Sequence, residues 1–576
     1  MLFLLAFAAG WVLQAQQITS LDGAREALQN ERYAETKSYL QGYLKQHPKN
    51  AEAAYLLSIA CFNLGDFDEQ FRAGDIVLSR SSSRHNISWV YQQRGLVHYF
   101  NEEYEQALND FSNVIKYAPD EERGYDWRTQ LYIALAFTAI KDADAFDSIN
   151  MRLPKSKAGE KHLKLAEQDA QKLLNLNASS LQGLTTMGSV AYLRRDEAKA
   201  EQWLQKAIAA GSTAQSNYTY LFSIYLKHRR YADAADLLIS IIDRGVKYPY
   251  THYYNHAIGK AAFQTLLARY QIQANKQPND GSWPYYIGLL YSDVEKNYDK
   301  AADYFKKAYA IEPQYSYTAN AAARAFLHMG NYDAAIAYAR RAIAIYDSSD
   351  AAYLTISSAK YYSGQPDSAV LYITQAIRLD PTDAWYYYSR GFYNKILHRY
   401  DDAIDDYSAS IELVGDYAHA YKARGDMYLA VGKRSLAEAD YRKAIALDSV
   451  PQSGSCAMYA YLALGETDKA LDFLNRYMEA DDDKGAAYYE AACIYALMGR
   501  TYEALQYLEK SFIYGNRDYD HMQFDTDLDS LRDTDAYRRI LETYKPQPFP
   551  EEVLPPLPTA PSGSFNDVLR SLAPHN

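Results

Sequence analysis

Between residues 316 and 448 small and apolar positions return at an interval longer than any single helix or strand. Ala335, Ala369, Ala403 and Ala437 stand 34 residues apart, and Ala470 and Ala504 extend the series at spacings of 33 and 34. Five residues before each comes a position suited to chain reversal: Gly330, Gly364, His398, Gly432, Gly465 and Gly499. Seven residues after each of the first four comes Ala342, Ala376, Ser410 or Ala444. The fullest copy, residues 384–417, reads AWYYYSRGFYNKILHRYDDAIDDYSASIELVGDY. It divides into two stretches with helical spacing of apolar residues, each long enough for about three to four turns, joined by a short turn. Gly391, Ala403 and Ser410 are small where two helices would cross closely, and Tyr387, Tyr400 and Tyr407 are large enough to fill the angles between neighbours. One such hairpin cannot bury its apolar face alone, so successive copies are expected to stack into an all-α solenoid with a continuous core.

Tyr421, Arg424-Gly425, Tyr428, Ala437, Tyr441 and Ala444 follow one another in the order of a known 34-residue unit, with Ser449 where that unit ends in proline. The pattern resembles the tetratricopeptide repeat (TPR). The resemblance implies a right-handed α-solenoid, a TPR superhelix whose first helices line a concave groove, acting as a protein-binding scaffold and not as an enzyme. Counting second-half helices gives about thirteen or fourteen repeats.

Taken in order, residues 1–15 are expected to be a signal peptide, of which the first thirteen, MLFLLAFAAGWVL, form an uncharged apolar run. It is too short to span a bilayer comfortably but has the length of a signal-peptide core, with Ala15 as the cleavage residue. Its QAQQ ending resembles secretory signals of the Bacteroidetes, which implies a periplasmic or secreted protein. Residues 16–120 hold N-terminal TPR repeats. Residues 121–160 lose the register and carry Pro154 and Gly159, so they are expected to be an irregular helical junction and the best internal boundary. Residues 161–280 resume as middle TPR-like repeats, and a C-terminal TPR array runs over 281–521. Residues 522–544 resemble the segment that caps such arrays with one polar face. The Pro-rich tail, 545–576, is expected to be extended and flexible.

Composition narrows the function. A net charge of -12 with a pI near 5.6, and no basic run, exclude a nucleic-acid binder. No stretch reads as a membrane span, so the protein is not expected to be an integral membrane protein. The three cysteines, Cys61, Cys456 and Cys493, have neither zinc-site nor disulfide spacing, and Cys493 stands where a first helix needs a small packing residue. Chemistry is otherwise sparse. His252 and His256 have the i, i+4 spacing of a metal pair but no Glu between them and no third ligand, and read as surface or inter-helix histidines. Asp525, Asp527, Asp529, Asp533 and Asp535 alternate like a calcium loop but have Ser530 and Ala536 where it needs Gly and Glu. No phosphate loop or nucleophile elbow is present. The reading is therefore no catalytic residues, no metal and no cofactor.

Two internal patterns remain. In three repeats the residue before the first-helix glycine is arginine and the residue before the second-helix aromatic is aspartate: Arg94 with Asp110, Arg390 with Asp406, and Arg424 with Asp440. Elsewhere both places are uncharged, as with Ile356 and Tyr372. Charges that come only in pairs are expected to meet between the two helices of a hairpin, as structural ion pairs. The exposed places of two adjacent first helices carry Tyr361, Tyr362, Trp385, Tyr388, Phe392 and Lys395, a set of rigid rings and one cation suited to a protein or peptide partner. Rings of this kind also stack on sugars, so a glycan-binding or carbohydrate-handling accessory of the cell envelope is the alternative. Packing between repeats is the plainer role for the same rings.

Overall fold

The start of each hairpin follows from local chemistry. Asp383 caps the helix Ala384–Ile396 by accepting from the Trp385 amide at 2.8 Å, Asn331 caps Tyr332–Ile345 by accepting from the Ala334 amide at 3.2 Å, and Pro366 opens Pro366–Leu379 where no amide partner is needed. The reversal between the two helices needs a left-handed residue. Gly364 and Gly432 supply it at φ 72° and 77°, and His398 takes the same role at φ 56° with a side chain attached.

The computed structural model describes residues 18–141, 157–246, 250–450, 456–480, 483–516 and 519–545, and every regular element among them is helical. The expected signal stretch 1–15, Pro154 and all of the Pro-rich tail but Lys545 lie outside the described residues. No described helix is long and apolar enough to cross a membrane. The chain divides into two compact units, Met1–Tyr248 and Pro249–Asn576.

Among the described residues of the first unit six helix hairpins follow one another, from Leu21–Gln29 with Tyr33–Gln46 to Gln215–Lys227 with Tyr231–Asp243. The stretch expected to be an irregular junction contributes one of them. Glu122–Lys141 packs against Lys157–Leu176, Leu131, Ala136, Leu163 and Ala166 are buried, and Arg128 donates to Asp169 at 2.6 and 2.7 Å. Each of these helices has 20 residues, so the 34-residue register is lost while the packing continues. The division between compact units falls instead at Tyr248 and Pro249, ahead of the 26-residue helix Thr251–Lys276, whose Ala262 leaves helical geometry.

The described residues of the second unit form seven hairpins. The first pairs Ser282–Leu289, extended by the π-helical turn Leu290–Val294, with Tyr298–Ile311; the last pairs Lys484–Leu497 with Thr501–Ile513. Three of these hairpins share one contact, a second-helix aromatic lying on a first-helix glycine: Gly288 with Phe305, Gly391 with Tyr407 and Gly425 with Tyr441. A Cβ at Gly391 would sit 2.9 Å from Tyr407 Cε1, and one at Gly288 only 2.5 Å from Phe305 Cε1. Ala403, Tyr407 and Ser410 are buried at this crossing. Beyond the last hairpin come Tyr519–Phe524, the 3-10 turn Thr526–Leu531 and Asp535–Tyr544. These cover the array by burying Met522, Leu528, Leu531 and Tyr537 against Cys493, Leu508 and Phe512. Each unit is thus an α-solenoid of consecutive hairpins.

Candidate functional site

The first helices of the second unit bring a column of side chains to one face. Tyr388, Lys422, Cys456 and Tyr489 are separated by 34, 34 and 33 residues, and all four line a cavity of about 230 Å³. Tyr361 from the preceding first helix, with Phe392 and Lys395 one and two turns beyond Tyr388, completes one side. The opposite side is not made by a repeat. It is the capping segment, which turns His521, Asp525, Thr526 and Asp527 toward the first helices.

That inward turn is held by specific bonds. Asp525 accepts from the Asp527 amide at 2.9 Å, Arg532 donates to the carbonyl oxygens of Gln523 and Asp525, and Tyr537 donates to the Met522 carbonyl at 2.7 Å. The Tyr489 hydroxyl donates to Asp525, and the Cys493 thiol lies 3.7 Å from the same oxygen. With Met522, Leu528 and Leu531 in the core, the segment is a fixed wall of the cavity.

Charge on the lining is uneven. Lys422 Nζ lies 2.9 Å from Asp426 and 4.9 Å above the Tyr459 ring. Burial alone would lower its ammonium, but the Asp426 and Asp527 carboxylates outweigh that and push it up. Glu490 accepts a hydrogen bond from the Tyr459 hydroxyl; burial, with Asp525 and Asp527 nearby, nevertheless pushes its carboxyl up to about 7. Asp527 is also raised, first by burial and then by Asp525, against the pull of Lys422. Asp525 goes the other way, because His521, Tyr489 and the Asp527 amide overcome its burial. Burial pushes the Cys456 thiol up to about 12 and the Cys493 thiol well above its ordinary value, so neither is a thiolate near neutral pH. Cys493, Asp525 and Asp527 place one potential ligand atom each within 4.8 Å of one another, a proximity accounted for by the Cys493–Asp525 contact and the turn itself.

Of the six groove residues expected from sequence, four line the cavity: Tyr361, Tyr388, Phe392 and Lys395. Tyr361 is buried, edge-on to Phe392 at 5.2 Å, and Tyr388 packs against Tyr407 at 5.5 Å and Tyr417 at 5.2 Å. Trp385 stays outside the cavity, 49% exposed and stacked on Tyr388 at 5.4 Å. Tyr362 stacks on Tyr332 at 5.8 Å and meets the His521 ring at 6.5 Å. Sequence reasoning left out Asp426, Tyr459 and Glu490 of the lining, and met Asp525 and Asp527 only as part of an alternation like a calcium loop. Asp426 was accessible by register, since Phe392 and Asp426 are 34 residues apart, like Trp385 and the cavity's His419. No repeat register leads to Asp525 or Asp527.

Arg390 donates to Asp406 from Nε at 3.0 Å and from Nη2 at 2.6 Å, and Asn394 adds a third bond at 3.0 Å. Arg424 and Asp440 form the same fork at 2.8 and 2.9 Å. Arg94 departs from it: its Nε is 3.8 Å from Asp110, its Nη1 bonds Asp75 at 2.8 Å, and burial leaves the Asp110 carboxyl raised despite Arg94 and His98. His252 lies 3.2 Å from Asp293, and no metal-ligating cluster among the described residues includes His252 or His256.

Family models described as tetratricopeptide repeat match residues 21–84, 295–359, 350–383 and 485–512. No curated protein matches the chain. Among solved structures, TTC0263, a thermophilic TPR protein in Thermus thermophilus, is 23% identical, covering 33% of this chain and 98% of its own at a TM-score of 0.27. YrrB, described as a TPR protein with an unusual peptide-binding site, is 18% identical, covering 34% and 97% at 0.28. The APC/C hetero-tetramer Cut9-Hcn1 is 13% identical, covering 91% and 98% at 0.34. The matched segments fall in both compact units, on consecutive helix hairpins, and these segments are tetratricopeptide repeats.

Proposed function

We propose that the chain is a non-enzymatic scaffold that captures a partner protein or peptide on the first-helix face of its second unit. The observation that carries this reading is Trp385, a half-exposed ring stacked on Tyr388, which is itself wedged between Tyr407 and Tyr417. An anchor held in this way loses little side-chain entropy on binding, which is how aromatic residues come to dominate interface energies. The protonated thiols of Cys456 and Cys493 offer no nucleophile, in keeping with a binding role. The apolar opening of the sequence, with Ala15 as its cleavage residue, supports a periplasmic or secreted location.

Affinity purification with the full chain supplies the partner. Trp385→Ala is then expected to weaken capture tenfold or more, about 1.4 kcal/mol, with no change in melting temperature. Tyr388→Ala is expected to lower affinity and melting temperature together, because that ring is also packed. A folded Trp385→Ala protein with full affinity would remove this face from consideration. The flat exposed indole also suits a sugar ring, and selective binding on a glycan array would move the reading to a carbohydrate-handling accessory.

A further inference from the structure

Resting on that capture reading, we infer that the cavity beside Trp385 receives one organic ammonium group, the end of a lysine side chain carried by the partner. Four carboxylates line it, Asp426, Glu490, Asp525 and Asp527, against two lysines, Lys395 and Lys422. Lys422 lies against Asp426, and Asp525 is engaged by His521 at 3.5 Å, Tyr489, Cys493 and the Asp527 amide. Lys422 and Lys395 both act on Asp527, so two lysines stand against four carboxylates. Among the described residues no side chain donates a hydrogen bond to the Asp527 carboxylate, and Glu490 has only the Tyr459 hydroxyl.

The rings point to the same chemistry. Aromatic rings and carboxylates, which together line the cavity, are the two groups that hold an ammonium out of water. The chain already shows the arrangement once, with Lys422 Nζ above Tyr459 and against Asp426. Glu490 and Asp527 both hold protons more tightly than usual because burial and neighbouring acids leave their charge uncompensated; a bound cation would relieve that. At about 230 Å³ the space is below the roughly 300 Å³ where drug-sized pockets begin, which suits a single side chain better than a folded element or a large ligand.

The test is calorimetric titration of the full chain with the capped tripeptide acetyl-Gly-Lys-Gly-amide, its norleucine counterpart, its glutamate counterpart, and n-butylamine. The lysine peptide is expected to bind at least tenfold tighter than the other three, and Asp527→Asn and Glu490→Gln, each checked by circular dichroism, are expected to reduce its affinity at least fivefold. Norleucine or glutamate binding as tightly as lysine would overturn the inference without recourse to any variant. Butylamine binding as tightly as the lysine peptide would overturn a partner side chain as the source. Full lysine-peptide affinity in both folded variants would overturn the site. The capture reading fails separately, if Trp385→Ala retains the purified partner at full affinity.

Discussion

Removing Arg390 leaves Asp406 in the crossing of two helices with little to hold its charge. The carboxylate is 7% exposed and accepts two bonds from the guanidinium fork and one from Asn394. Burial already outweighs these and raises its carboxyl above the usual range. After Arg390→Ala only the Asn394 bond remains, and an uncompensated buried carboxylate of this kind costs about 2 to 4 kcal/mol. The lower half of that range is the better expectation, since Arg390 itself is 24% exposed and water can enter where it stood. The loss should be smaller near pH 4 than at pH 7, because Asp406 can then take up a proton. Arg94→Ala provides the internal contrast. Its pair is long, its other bond goes to an exposed Asp75, and its loss is expected to be about 1 kcal/mol or less. Repeat arrays do not unfold in one step, so the assay is amide hydrogen exchange over Ala384–Ile396 and Tyr400–Leu413 alongside urea titration. The double change Arg390→Ile with Asp406→Tyr reproduces Ile356 and Tyr372 of the preceding hairpin and should recover much of the loss, with a coupling of about 1 kcal/mol or more. Additive single changes, or Arg94→Ala costing as much as Arg390→Ala, would refute the argument.

Glu490 should give the protein a measurable pH slope. Its folded pKa of about 7 lies above the ordinary 4.5, so the unfolded chain loses the proton first; stability then falls as pH rises from about 4.5 to about 7 and levels above it, by at most about 3 kcal/mol. Urea midpoints at pH 5 and pH 8 should differ less in Glu490→Gln than in the parent, and an equal difference would contradict the assignment. Two glycines in helices should respond in opposite directions. Gly391→Ala pushes a methyl against Tyr407 and Asp406 and is expected to cost about 1 to 3 kcal/mol, whereas Gly42→Ala, in Tyr33–Gln46 with nothing within 4 Å, should add about 0.5 to 1 kcal/mol; thermal melts of the two decide it.

The hairpins were legible because each needs the same few things at the same places. Gly330, Gly364, His398, Gly432, Gly465 and Gly499, picked out by period alone, all take positive φ. Arg390 and Arg424 reach the aspartates that co-occur with them, because a charge at that crossing is tolerable only with a partner. The register also carried half of the cavity, through Tyr388 and its equivalents. Its other half was not legible. Asp525 and Asp527 turn inward because Arg532, Tyr489 and Tyr537 hold the backbone and side chains of a non-repeating segment, and those partners are up to 36 residues away without a shared period. The hairpin Glu122–Lys141 with Lys157–Leu176 was hidden for a different reason, since longer helices shift the spacing on which a periodic reading depends.

Among the described residues, six reversals place a side chain where the backbone favours glycine: Glu31, Glu102, Arg195, Arg229, Lys296 and His398 hold φ between 52° and 66°. Each carries a strain of about 1 kcal/mol or more. Four of the six fall in the first unit, while Gly330, Gly364, Gly432, Gly465, Gly499 and Gly515 relieve most reversals of the second. Heat should therefore loosen the two halves at different temperatures, the N-terminal one giving way first. Because these positions are far apart in the chain and their effects should add, glycine at Glu31, Glu102 and Arg229, all exposed, would narrow that gap in melting behaviour while leaving the core untouched.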